Sequence, residues 1–199
     1  MILTGQNLQC DRGGRTVFTG IAFRVAAGEM MQLNGPNGSG KSSLLRLIAG
    51  LNEAITGTLE LEEGSADLAI GQQAHYIAHQ EAVKSALTVT ENLNFWHVFL
   101  GGGDVGAALA ALNLSRLAHD HAGLLSAGQK RRLALARLAL VPRALWLLDE
   151  PTVGLDTASQ EMLAAMMGDH LARGGLIIVA THVALGLKPQ VELELRGAR

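Results

Sequence analysis

Residues 35–42 read Gly35-Pro36-Asn37-Gly38-Ser39-Gly40-Lys41-Ser42, and this stretch decides the fold class. It fits G-x-x-x-x-G-K-[ST] at every fixed position. An apolar run, residues 30–33, precedes it, and a helical run over residues 41–49 follows, ended by Gly50. Glycines let a backbone curl round phosphate oxygens with its N–H groups pointing inward, and a helix N-terminus adds partial positive charge. The expectation is a phosphate cradle built from Gly35, Pro36, Asn37, Gly38, Ser39 and Gly40, with Ser43 counted in the same site. Lys41 reaches the β- and γ-phosphates, and Ser42 holds Mg2+.

Three more short apolar runs, residues 76–78, 144–148 and 176–180, resemble residues 30–33 in not alternating with polar residues. Strands of that kind are covered on both faces, as in a parallel sheet flanked by helices. Ligands in such sheets bind beyond the carboxyl ends of the strands. The chemistry is therefore expected at residues 34–42, 79–80, 149–150 and 181–182. Asp149 directly follows its apolar run, so it is the better placed acid to reach a metal held by Ser42. Glu150 is then free to orient or deprotonate an attacking water. Pro151 stops the strand.

Elsewhere the pattern changes. Ile21, Phe23 and Val25 alternate with Ala22, Arg24 and Ala26, and Leu59 and Leu61 alternate with Glu60 and Glu62. This is the period of half-buried antiparallel strands. Between residues 88 and 141 the reading is helical. A capping box, Thr88-Val89-Thr90-Glu91, opens a helix to Leu100; a second helix covers residues 105–112, and a third runs from Ser126 to Leu140. This segment is read as a helical lobe inserted into a single α/β domain, residues 1–199.

The totals narrow the partners. Formal net charge is −2, with acids and bases interspersed and no basic block, so no nucleic-acid partner is expected. Cys10 is the only cysteine, which excludes an internal disulfide and a Cys-rich metal site. The first residues lack the basic-then-apolar form of a secretory signal. No apolar run approaches the ~20 residues that span a bilayer. If the protein works at a membrane, another chain is expected to cross it.

Leu125-Ser126-Ala127-Gly128-Gln129 separates this chain from other proteins with a phosphate loop. Ser126 caps the third helix and Gln129 completes a capping box, leaving free N–H groups and a dipole as a second anion site. Here the chain resembles the ABC ATPases, whose signature motif is similar but usually has glycine at the place of Ala127. The resemblance implies that Ser126, Gly128 and Gln129 bind the γ-phosphate of ATP held by a second copy of the chain. It also implies that Gln80 senses Mg2+ and links core to lobe. Gly154-Leu155-Asp156 would cross the dimer interface, and His182 would contact the γ-phosphate. These elements come in the family's order over roughly residues 30 to 182. The implied fold is an α/β P-loop core with an N-terminal antiparallel β subdomain and an inserted helical subdomain. The implied cofactors are ATP and Mg2+. The family usually stacks an aromatic residue on adenine, and the matching place before Gly13-Gly14 holds Arg12. A guanidinium also stacks on a π face, so weaker or less base-selective binding is expected.

Shortness, His79-Gln80, the signature with Lys130-Arg131-Arg132-Leu133-Ala134-Leu135-Ala136-Arg137-Leu138, and the run ending Asp149-Glu150-Pro151 are similar to the cytochrome c maturation ATP-binding subunits, or haem exporter ATPases. With so little chain after His182, no regulatory C-terminal domain is expected. The resemblance implies a small polytopic membrane partner and a peripheral place on the cytoplasmic face of the bacterial inner membrane. It implies a role in delivering haem to c-type cytochromes. The second reading is a soluble ATPase that remodels a protein assembly without transport. A membrane-docking groove near Gln80 and residues 87–100 separates the two; Phe95, Trp96, Val98 and Phe99 supply its apolar bulk or else pack in the core.

Overall fold

The chain opens with a hairpin, β1 (Ile2–Arg12) and β2 (Arg15–Ala26), turned at Gly13 and Gly14, whose φ angles of 58° and 76° suit glycine. β3 (Met30–Asn34) leaves this layer, and β4 (Thr56–Glu62) returns to it, giving an antiparallel sheet of order β2-β1-β4. In a second sheet β3 is joined by β5 (Ala74–Ile77), β6 (Leu145–Asp149), β7 (Leu176–Ala180) and β8 (Val191–Glu194). Its order is β5-β6-β7-β3-β8, and every neighbouring pair is parallel. This is a computed structural model, and it describes residues 1–197; residues 198 and 199 of the expected unit lie outside the described residues.

The non-alternating runs have a direct cause. Successive side chains of each inner strand enter different cores. Met30, Trp146, Leu148, Ile177 and Val179 belong to one, shared with the helices described below. Met31, Leu33, Leu145, Leu147, Leu176 and Ile178 belong to the other, shared with the antiparallel sheet and α1 (Lys41–Ile48). β6 and β7 are buried at every position. Each fully buried aliphatic side chain contributes roughly 1.5–3 kcal/mol, so polar substitutions there are disfavoured on both faces.

Between β5 and β6 the chain is helical: α2 (Val89–Leu100), α3 (Val105–Ala111), α4 (Ala127–Leu135) and α5 (Arg137–Leu140). Thr88 caps α2 through a capping box with Glu91, and Gly101 ends the helix at φ 87°. The single helix expected from Ser126 to Leu140 is broken at Ala136, whose N–H is shared between Arg132 O and Leu133 O. The expected strand at residues 76–78 lies two residues earlier at its start and stops at Ile77. α6 (Thr157–Ala172) and the edge strand β8 had no counterpart in the sequence reading. Among the described residues no helix is long and apolar enough to cross a membrane.

Phe95, Val98 and Phe99 are 45%, 79% and 69% exposed, so most of the aromatic bulk of α2 lies on the surface. Trp96 is half-buried and carries the Arg137 guanidinium 4.1 Å from its ring centre.

Candidate functional site

A parallel sheet sends all its carboxyl ends to one side, and there β3, β7 and β6 end side by side. The loop after β3 turns sharply at Gly35, Gly38 and Gly40, with φ angles of 129°, 81° and 105°. Two of these glycines are also forced by contact. A Cβ on Gly35 would lie 2.1 Å from Leu195 O, and one on Gly40 would lie 2.9 Å from the Phe18 ring. The loop is thus wedged between β2 and the segment after β8. Gly38 has nothing within 4 Å of such a Cβ, and its face is open.

Gly40 precedes α1 without a side-chain cap, so the first N–H groups of that helix remain available to an anion. Lys41 is 8% exposed, and its Nζ donates to Gly35 O at 2.7 Å and Pro36 O at 3.1 Å. Two of its three donors brace the loop, and one is left over. Ser39 Oγ is buried without a partner among the described residues, and Ser39 N donates to Pro36 O. Uncapped N–H groups, a spare ammonium donor and a Cβ-free opening fit a phosphate chain.

Lys41, Ser42, Ser43, Asn37, Gly38 and Gly40 share a cleft of about 540 Å³ with Asp149, Glu150, His79, Arg12, Arg15 and Val17. Six residues of the predicted loop, both carboxylates and Arg12 are therefore brought together, while Gly35, Pro36 and Ser39 do not line the cleft. Arg15 and Val17 were missed, whereas His79 lies in the stretch 79–80 where chemistry was expected. Arg15 was within reach, since a two-residue Gly-Gly turn sets residues 12 and 15 opposite each other, as observed. Ser42 and Asp149 stand in one cleft and suit Mg2+, which takes few protein ligands and keeps its other places for water and phosphate oxygens. A larger cleft of about 700 Å³, lined by Met1, Pro142, Arg143, His170 and Gly175 among others, contains none of the predicted site residues.

Glu150 has φ 48°, a left-handed backbone that glutamate seldom adopts. Its N–H donates to Ala180 O at 2.8 Å, tying the ends of β6 and β7. Its Oε1 lies 3.7 Å from His182 Nε2, with side chains 19% and 53% exposed. Thr181 shapes that turn: Val183 N donates to Thr181 Oγ1 at 3.1 Å. Strained residues held by surrounding bonds cluster at functional sites.

Other predicted residues lie apart. Gln80 is exposed and lines a neighbouring hollow with His79, Glu81, Arg131 and Val153; it does not share the cleft of Ser42 and Asp149. Ser126 caps α4, accepting from Gln129 N at 3.3 Å while Gln129 Oε1 accepts from Ser126 N at 2.8 Å. A Cβ on Gly128 would lie 2.8 Å from Gly154 O, so α4 begins in contact with the turn after β6. Asp156 caps α6, accepting from Ser159 N at 2.9 Å, and hydrogen bonding with the Ser159 side chain first, then with that N–H, holds its carboxyl below the usual range.

The family model for ABC transporters matches residues 18–153. A cytochrome c biogenesis ATP-binding export protein of Bradyrhizobium diazoefficiens is 53% identical over 199 residues, covering 99% of each chain. A protein of the same description from Brucella abortus is 47% identical over 189 residues, covering 94% of this chain and 88% of the relative. The fold matches an ATP-binding subunit of an ABC transporter with TM-score 0.87 at 24% identity, covering 98% of this chain and 86% of that one. It matches a dimeric ATP-binding cassette, in a post-hydrolysis state with ADP and Pi, with TM-score 0.83 at 22% identity over 98% and 94% of the two chains. Near-complete coverage at such identity extends from the phosphate loop to the strand ends, and the chain belongs to the ABC transporter ATP-binding family, among the cytochrome c biogenesis ATP-binding export proteins.

Proposed function

We propose that two copies of this chain close on two ATP molecules and that their hydrolysis drives haem export, or release of a haem carrier, in c-type cytochrome biogenesis. The observation that carries the ATPase part is the single cleft holding Lys41, Ser42, Asp149 and Glu150. Residues 35–43 wrap the phosphates, with Lys41 meeting the charge that develops on the transferring phosphoryl. Mg2+, held by Ser42 and Asp149 with Gln80 swung in from its hollow, would supply further charge neutralisation. Glu150 accepts the proton of the attacking water, and His182 orients on the γ-phosphate. Arg12, with Arg15 beside it, lies against the base.

Ser126, Gly128 and Gln129 serve the ATP of the opposite copy. That reading is supported by their absence from the lining of this chain's own phosphate cleft. ATP bridges the two surfaces; hydrolysis and release of phosphate remove the bridge. Asp156 lies at the seam between copies.

The membrane partner is a small polytopic subunit, with this chain peripheral to it on the cytoplasmic face of the bacterial inner membrane. The hollow lined by Glu81, Val83, Lys84, Asn92, Phe95 and Trp96, continued by exposed Val98 and Phe99, supports docking there. A pull-down from native membranes in mild detergent tests this. A small polytopic protein with cytochrome-maturation proteins is expected, and it should be lost from Val98→Asp while ATP binding is kept. Recovery with soluble partners alone moves the function to a protein-remodelling ATPase.

A further inference from the structure

Arg131 is 1% exposed, the largest fully buried side chain, yet it faces no carboxylate within ion-pair distance among the described residues. All of its bonds go to backbone carbonyls. Nε donates to Pro151 O at 3.1 Å; Nη1 donates to Ala78 O at 2.8 Å and His79 O at 3.4 Å; Nη2 donates to Asp149 O at 3.0 Å and Glu150 O at 2.7 Å.

The acceptors explain why an arginine is tolerated there. Ala78 and His79 follow the end of β5, and Glu150 and Pro151 follow the end of β6, so these carbonyls lie beyond the strand ladders. Buried carbonyls without donors are costly. A lysine offers three donors from one point, whereas the flat guanidinium fork spans two separate segments at once. Arg137 does the same further back, donating to Tyr76 O at 3.2 Å. Arg131 differs in ending on Glu150.

We infer that Arg131 is a positioning residue for hydrolysis: its guanidinium fixes the backbone at Asp149, Glu150 and Pro151, so that the Glu150 carboxylate is held at the phosphate cleft. The inference rests on the reading of Glu150 as the base. Without the clamp, Glu150 has one less reason to stay at φ 48°, and its carbonyl loses the shortest of its bonds. The same side chain grips residues 78–79 from the second turn of α4, so the helix that carries Ser126 and the strand end that carries Glu150 move as one body.

Arg131→Lys and Arg131→Gln in the full chain test this, with melting followed by circular dichroism, nucleotide affinity by titration and hydrolysis at saturating Mg·ATP. The expected result is folded protein with kcat lowered about tenfold or more and KM for ATP within about twofold, the pattern of a group felt mainly in the transition state. Placing Arg131→Lys on Glu150→Gln should lower the residual rate no further, since both changes act through one carboxylate. Wild-type kcat in a folded Arg131→Lys overturns the inference. So does an equal loss of nucleotide affinity, an additive loss in the double variant, or failure of both single variants to fold. If Glu150→Gln alone hydrolyses at the wild-type rate, the base assignment itself is wrong; if Glu150→Gln is inactive while Arg131→Lys is not, only the clamp is.

Discussion

Glu150 Oε1 and His182 Nε2 face each other at 3.7 Å across the ends of two adjacent strands, β6 and β7. The sheet brings them near each other: Asp149 is in register with Ala180, Glu150 N bonds to Ala180 O, and His182 stands two residues beyond Ala180. Glu150→Gln keeps the shape of the side chain and removes its capacity to take a proton. The variant should bind ATP as tightly as the parent and hydrolyse it about 100-fold more slowly or worse, the size of a lost general base. With the bridge of ATP intact, it should accumulate as a dimer in sedimentation. Turnover at the parental rate would remove Glu150 from the role of base.

Arg12 and Arg15 pair across the hairpin turn and both line the cleft. A guanidinium stacked on the face of the base makes much the same contact with either purine. ATP and GTP should therefore bind with similar affinity. Arg12→Ala should weaken both alike, by up to about fivefold, which is the scale of an exposed cation–π contact. A strong ATP preference that survives in Arg12→Ala and is abolished only by changing some other residue would show that the base is read elsewhere.

The residues legible in the sequence were those whose chemistry fixes both type and spacing. The glycines and lysine of residues 35–42, the acids at 149–150 and the capping boxes at Thr88 and Ser126 are local arrangements, and each folded as local physics requires. The unbroken apolar runs foretold a sheet covered on both sides because both cores claim alternate residues. Arg131 was not legible. Within Lys130-Arg131-Arg132 it reads as one charge on a solvated face, and its burial depends on carbonyls 18 to 53 residues distant. The break at Ala136 was hidden for a similar reason: every residue across it is a good helix former. β8 was missed because its Val-Glu-Leu-Glu pattern is that of an exposed edge, four residues long.

His75 gives the fold a pH dependence apart from catalysis. Its ring is 4% exposed, and Nε2 lies 2.7 Å from Val141 O, a carbonyl that only accepts, so Nε2 carries the proton of a neutral ring. Desolvation chiefly, with the nearby Arg137, Arg143 and His170 adding to it, brings its pKa down to about 4 against the pull of that hydrogen bond. The unfolded chain binds this proton near pH 6.5 and the folded chain only near 4, so between those values unfolding takes up a proton and stability rises with pH. The contribution is complete above pH 6.5 and is lost as pH falls towards 4; a shift of this size corresponds to about 3 kcal/mol. His170, stacked on Trp146 at 4.0 Å and also shifted down by burial, acts in the same direction. Urea melts at pH 7.5, 6, 5 and 4.5 should show this loss. His75→Gln, which keeps an N–H donor for Val141 O and cannot titrate, should flatten most of the slope even if it lowers stability at pH 7.5. An unchanged slope in that variant would place the proton uptake on other groups.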